Sequence, residues 1–243
     1  MNAAPLHLAG ERLMLDPSGV LVWPARHLLV VSDLHLEKGS AFARRGMLVP
    51  PLDTRLTLDR LLAQVRAWQP RTVVALGDSF HDSAGSARLP AADAARIAAL
   101  AASVDLVWVL GNHDPLPPAG LGGRAVADYA DGPLTFRHRA IPGAVGEVSG
   151  HYHPKALVPA RGAAVSRPCF VADARRLVMP AFGTYTGGLD VGDPAIAGLF
   201  PRGGRAFLLG RDRLYSFALS GLGGRGGTAA RTAMVAPGAA PLI

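Results

Sequence analysis

The sequence predicts an α/β fold in which a mostly parallel sheet with helices packs against a second, more antiparallel sheet. Three observations carry this reading. Continuous apolar runs of strand length recur in the first half of the chain, helix-period segments separate them, and after about Arg124 the pattern changes to short strands punctuated by Gly and Pro.

The apolar runs are Leu28-Leu29-Val30-Val31, Val73-Val74-Ala75-Leu76 and Leu106-Val107-Trp108-Val109-Leu110. Without polar alternation they read as strands buried on both faces, as in a parallel sheet. Between the first two, Asp53 to Trp68 places apolar residues at Leu56, Leu58, Leu61, Leu62, Val65 and Trp68, which reads as a helix. Between the second and third, Ala91 to Ala102 is Ala-rich with Ile97 and Leu100 and reads as another. Strand, helix, strand, helix, strand is the order of a βαβαβ core. Leu134-Thr135-Phe136, Arg205 to Leu209 and Arg213 to Phe217 then supply short strands for the second sheet.

A chain of 243 residues, 49% of them hydrophobic, can bury one large core, so a single domain over residues 1–220 is expected. Gly221 to Ile243, rich in Gly, Ala and Pro without periodicity, reads as a disordered tail. No apolar run approaches the roughly 20 residues that span a bilayer, and the N-terminus lacks a basic-then-apolar signal pattern. A soluble, cytoplasmic protein without a membrane partner is the expectation. Cys169 is the only cysteine, fits a reducing compartment and reads as a small apolar residue. The net charge of +7 and pI near 10.4 fit either a solvated Arg-rich surface or one that concentrates polyanions such as nucleic acid. Lys38, Arg44 and Arg45 follow closely on the motif described next, which favours the second reading.

The apolar runs end in polar segments: Ser32-Asp33-Leu34-His35, Gly77-Asp78-Ser79-Phe80-His81-Asp82 and Gly111-Asn112-His113-Asp114, joined later by Gly150-His151-Tyr152-His153. In Asp33-x-His35 the two side chains of an extended chain point to the same face and can grip one ion. One such pair is a weak signal. Its repetition at strand ends, where α/β sheets carry their ligand sites, points to two adjacent metal ions.

The ordered segments D-x-H, G-D, G-N-H-D and G-H-x-H resemble those of the calcineurin-like binuclear metallophosphoesterases, over roughly Leu28 to Pro154. Asp33 to Gly39, Phe42-Ala43-Arg44-Arg45-Gly46 and Gly183-Thr184-Tyr185-Thr186-Gly187-Gly188-Leu189 are similar to the bacterial DNA-ligase-associated DNA damage response endonucleases of that superfamily. The resemblance implies a four-layer α/β/β/α sandwich, two packed β-sheets flanked by helices. Carried onto matching positions, it implies that Asp33, His35 and His153 bind one metal, that Asn112, His138 and His151 bind the other, and that Asp78 bridges both. The superfamily shows Gly after the His that matches His138, whereas here Arg139 follows it. The mixed N/O set without thiolate suits two divalent transition ions, with Mn favoured and Fe or Zn as alternatives.

The chemistry so implied is hydrolysis of a phosphate ester by a metal-activated water. His113 is expected beside the metals as acid or charge stabiliser, since an imidazole titrates near neutral pH. Related phosphoprotein phosphatases have Asp where this chain has His81, while the related double-strand-break repair nucleases have His, which shifts the expectation to phosphodiesters. A DNA endonuclease in repair follows, with Lys38, Arg44 and Arg45 on the phosphates and single-stranded or distorted DNA as substrate. The subgroup implies a functional association with an ATP-dependent DNA ligase and other repair enzymes. The alternatives are a phosphatase or phosphodiesterase of small nucleotides and a scaffold without turnover. Tyr185, in its Gly-rich segment, could either stack on a base or pack against the body.

Overall fold

In the computed structural model, residues 2–116, 118, 120–160 and 163–222 are described, together with the backbone of Ala233 and Met234. The chain opens with strands β1 (Ala4–Leu8), β2 (Glu11–Leu15) and β3 (Leu21–Trp23). Next come β4 (Leu28–Ser32), helices α1 (Lys38–Ala43) and α2 (Asp53–Trp68), β5 (Thr72–Leu76), α3 (Gly85–Arg88), α4 (Ala91–Ser103), β6 (Asp105–Val109) and β7 (Arg124–Val126). They form one sheet in the order β1-β2-β3-β4-β5-β6-β7. Pairing is parallel from β4 to β7 and antiparallel from β1 to β4. The expected βαβαβ core is therefore present, but "mostly parallel" describes only its half of the sheet. The antiparallel strands β1 to β3 cover the edge that β4 would otherwise expose.

The second sheet uses β8 (Asp128–Asp131), β9 (Leu134–Arg137), β10 (Glu147–Ser149), β11 (Lys155–Ala160), β12 (Ala163–Ala172) and β13 (Arg176–Val178). After the one-turn helix α5 (Pro194–Ala197) it is completed by β14 (Arg205–Leu209) and β15 (Leu214–Ala218). The order is β15-β14-β12-β13-β10-β9-β8, with β11 pairing β12 and the two-residue strand Ala233–Met234 beside β15. Strands β9, β10 and β13 run parallel and the remaining pairs antiparallel. The remainder of the Gly/Ala/Pro-rich tail lies outside the described residues.

Three apolar interfaces stack these layers. Between the sheets, Leu13, Trp23, Val30, Val74 and Val107 meet Phe136, Val148, Phe170 and Phe207. On the far side of the first sheet, Leu29, Val31, Val73 and Trp108 pack on Leu58 and Leu61 of α2 and Ile97 and Leu100 of α4. Alternate residues of β4 thus enter two different cores, which explains its uninterrupted apolar run. The outer face of the second sheet is covered by Ile196 of α5 and by Phe200, so the fourth layer is thin. Leu56, read as part of the apolar face of its helix, is 43% exposed. Cys169 is fully buried in β12, and burial pushes its thiol far up, so it behaves as an apolar residue.

A buried ion pair fixes the start of β10. The Arg176 guanidinium lies 3.5 Å from Glu147 and donates to the Ile141 and Ala144 carbonyls, while the Ile141 N–H donates to Glu147 at 2.7 Å. This holds the loop that follows His138. Glu147→Gln leaves Arg176 buried without its counter-charge, and a loss of about 3 kcal/mol is expected in urea unfolding. A loss below about 1 kcal/mol would show that the pair does not hold this region.

Candidate metal centre

Parallel register brings the ligand segments to one end of the molecule. Ser32 is level with Leu76, and Leu76 with Val109, so Asp33, Asp78 and Asn112 leave neighbouring strands side by side. In the second sheet, Arg137 is level with Ser149, so His138 and His151 leave β9 and β10 at that same end. The approach leaves no room for side chains at several glycines, among them Gly77, where a Cβ would collide with His138 Nδ1. A Cβ on Gly150 would lie 2.6 Å from Asp33 Oδ2, and one on Gly111 would lie 2.7 Å from Asp114 Oδ1.

The seven expected ligands converge. Asp33, His35 and His153 form one group and Asp78, His138 and His151 a second, with all ligand atoms of each within 4.8 Å of one another. His153 Nε2 is 3.2 Å from Asp33 Oδ1 and 3.3 Å from His35 Nε2. His138 Nε2 is 3.1 Å from His151 Nδ1, 3.0 Å from Asn112 Oδ1 and 3.4 Å from Asp78 Oδ2. Asp78 Oδ2 also lies 3.9 Å from His35 Nε2, so this carboxylate faces both groups. Imidazole nitrogens so close repel through their lone pairs unless a proton or a cation lies between them. Two buried carboxylates with nitrogen donors, and no thiolate among them, fit a pair of divalent transition ions.

The strain is concentrated here too. Asp33, His35, Asp78, His151 and His153 have φ of 53°, 43°, 46°, 72° and 47°. The left-handed region costs an L-residue about 1 kcal/mol, although Asp and His tolerate it better than most. These turns direct the side chains back across the strand ends.

The charge states suit cation binding. Burial pushes Asp33 up, but His153, His138 and Ser32 outweigh it and hold its carboxyl below the ordinary range. Burial likewise opposes ionisation of Asp78, yet His138 and the His113 N–H bring its pKa down to about 2. Desolvation drives His35 down to about 3, which keeps its imidazole neutral. His138 behaves oppositely: burial lowers it, but Asp78 and Asp33 together raise it above the ordinary histidine value.

Beyond the ligands, His113 donates its backbone N–H to Asp78 Oδ1 at 2.9 Å. Its Nδ1 lies 2.8 Å from the His81 carbonyl, which can only accept, so Nδ1 carries a proton and Nε2 turns to the centre, 3.9 Å from Asp78 Oδ2. The ring is 41% exposed. His81 stacks on it with centroids 5.5 Å apart and meets Phe42 edge-on. Asp82 does not hold His81, because its carboxylate accepts from Arg88 at 2.8 and 2.9 Å. Lys38 lies over the Phe42 ring, and burial, helped by the positive charges of Lys38 and Arg45, lowers the His81 pKa. Arg44 lines a shallow hollow with Ala41, Arg45 and Asp82.

Sequence reasoning assigned no role to Asp114. Its carboxylate accepts from the Ser79, Phe80 and Gly111 N–H groups and so ties the Asp78 segment to the Asn112 segment. Burial, with the charge of Asp78, raises its pKa to about 6. Its place in the G-N-H-D quartet was the available signal. The Gly183 segment proves to be a strap: Phe182 and Gly183 donate to Ser32 and Asp33, and Gly188 crowds the His153 carbonyl. Tyr185 donates its hydroxyl to Pro50, which fixes the strap to the α1–α2 loop.

A two-sheet sandwich with paired N/O metal groups at its strand ends defines a two-metal hydrolase centre. The calcineurin-like phosphoesterase model matches residues 26–158, and the chain belongs to that family, whose members are binuclear, metal-dependent phosphoester hydrolases. Among solved structures, the chain is similar to the Pseudomonas putida nuclease MPE, at 27% identity and a TM-score of 0.68, over 88% of this chain and 100% of that one. A lower similarity is to Yfce, a phosphoesterase from E. coli, at 17% identity and a TM-score of 0.41, over 86% of this chain and 98% of that one. No curated protein sequence matches significantly. Among the described residues, no helix is long and apolar enough to cross a membrane.

Adding Mn²⁺ at a hundredfold excess over its dissociation constant should stabilise the chain by about 2.7 kcal/mol. Asp78→Ala should remove that gain and lower the metal content measured by mass spectrometry. Because His138 must shed a proton to coordinate and its pKa is raised, affinity should weaken as pH falls through that pKa. Titration calorimetry showing pH-independent affinity would refute His138 as a ligand.

Proposed function

We propose that this chain is a DNA endonuclease of repair, acting on single-stranded or distorted DNA by hydrolysis of a phosphodiester. The observation that carries the reading is the His113–His81 pair, stacked together beside the paired metal groups, with His113 Nε2 3.9 Å from Asp78 Oδ2. The likeness to a protein described as a nuclease, over nearly the whole chain, supports it.

In this reading Asp33, His35 and His153 would hold one ion and Asn112, His138 and His151 the other, with Asp78, which faces both groups, shared between them. Bound there, two divalent cations, with Mn favoured over Fe or Zn, would supply an acidified water and neutralise charge on the phosphate. The protein does the rest. His113, its Nδ1 fixed by the His81 carbonyl, presents Nε2 where an imidazolium can donate a proton to the leaving oxygen. His81 offers a hydrogen bond to a phosphate oxygen without the repulsion that a carboxylate would bring. Lys38, Arg44 and Arg45 attract the flanking phosphates, so binding is expected to carry little sequence specificity. The family resemblance points to work alongside an ATP-dependent DNA ligase in the cytoplasm.

Circular single-stranded DNA tests this, since circles have no ends. With Mn²⁺ the protein should linearise circles, more slowly at high salt, and Asp78→Ala should not. His113→Ala should keep its metals and lose about 10²- to 10⁴-fold in rate. Hydrolysis of a small nucleotide with intact circles would instead establish the nucleotide phosphoesterase reading, in which salt has little effect.

A further inference from the structure

The loop between α1 and α2 carries apolar side chains into water beside the candidate centre. Leu48 is 89% exposed, Met47 50% and Leu52 47%. Such a concentration on one loop marks a contact surface more often than chance exposure. The loop is nevertheless anchored. The Met47 N–H donates to the Phe42 carbonyl at 3.0 Å, the Pro50 carbonyl accepts from Tyr185 at 2.9 Å, and Pro50-Pro51 stiffens the return to α2. Phe42 in turn meets His81, and His81 meets His113, so the tip is joined to the centre by successive ring contacts.

Charge surrounds the tip. Arg44 and Arg45 are exposed just before it, and the neighbouring acid, Asp82, is already paired with Arg88. An apolar tip edged with cations matches a polymer that alternates anionic groups with flat apolar ones. An unpaired nucleic-acid strand offers that pattern with its base faces free, whereas a duplex keeps those faces stacked inside and exposes phosphates, sugars and groove edges.

We propose that Met47 and Leu48 seat unstacked nucleobases of a strand whose phosphates lie on Arg44 and Arg45. The loop thereby sets the preference for unpaired over duplex DNA. This rests on the endonuclease reading above.

The test compares wild type with Met47→Ser/Leu48→Ser and with Leu48→Trp, each verified as folded by its melting temperature. For each protein, cleavage of single-stranded circles and of a supercoiled duplex is divided by turnover of bis-p-nitrophenyl phosphate, which is too small to need the loop. The serine pair should lower the single-strand ratio about tenfold and the duplex ratio much less, and Leu48→Trp should raise the single-strand ratio. Unchanged ratios, or equal losses on both DNAs, would overturn the assignment while leaving the endonuclease intact. A wild type that turns over the diester and cuts neither DNA would sink both readings. Concentration-dependent sedimentation abolished by the serine pair, with unchanged DNA ratios, would assign the tip to self-association instead.

Discussion

One carboxylate joins the two sheets at the end where the chemistry gathers. Asp33 is fully buried, accepts from Ser32 Oγ at 2.5 Å on its own strand and accepts from the His151 N–H at 3.0 and 3.2 Å on the other sheet. Its own N–H donates to Gly77 and its carbonyl accepts from Gly183, so four segments meet at a single residue. A buried carboxylate is costly unless charge and hydrogen bonds compensate it. Here the compensation comes from the same histidines that would hold metal, which makes the architecture of the join and that of the centre inseparable.

The same coupling explains why strain is tolerated. Five candidate ligands adopt left-handed backbone conformations that cost energy in isolation, yet Asp33, His35 and Asp78 share backbone hydrogen bonds across segments and the His151 N–H donates to Asp33. Asp114 gathers backbone N–H groups from two segments, and the 183–188 strap braces the backs of the Asp33 and His153 turns. Backbone clamps of this kind limit how far the donors can move apart.

Much of this was legible in the residues. Asp53–Trp68 was bounded correctly from its apolar period, and the three apolar runs became β4, β5 and β6, because double-sided burial leaves so plain a pattern. The ligand segments could be read because they sit where apolar runs stop. The antiparallel strands β1 to β3 could not. Their first turn is Ala9-Gly10, with φ of 50° and 84°, and an alanine there gives none of the Asn-Gly or Asp-Gly signal that marks a tight hairpin. The role of the 183–188 segment depends on contacts with residues far away in sequence, and only the fold supplies those.

The order of the ligands along the chain has a consequence for how the protein matures. Each metal group takes members from early strands and from the segment Gly150-His151-Tyr152-His153, which is the last of them to be synthesised and lies on the second sheet. Neither group can close until the two sheets have met, and the strap that braces them comes later still. Long-range closure of this kind is slow to form. A chain still emerging from the ribosome, or one partly opened, therefore holds scattered histidines in place of a centre. The candidate centre is in this way a property of the finished body alone.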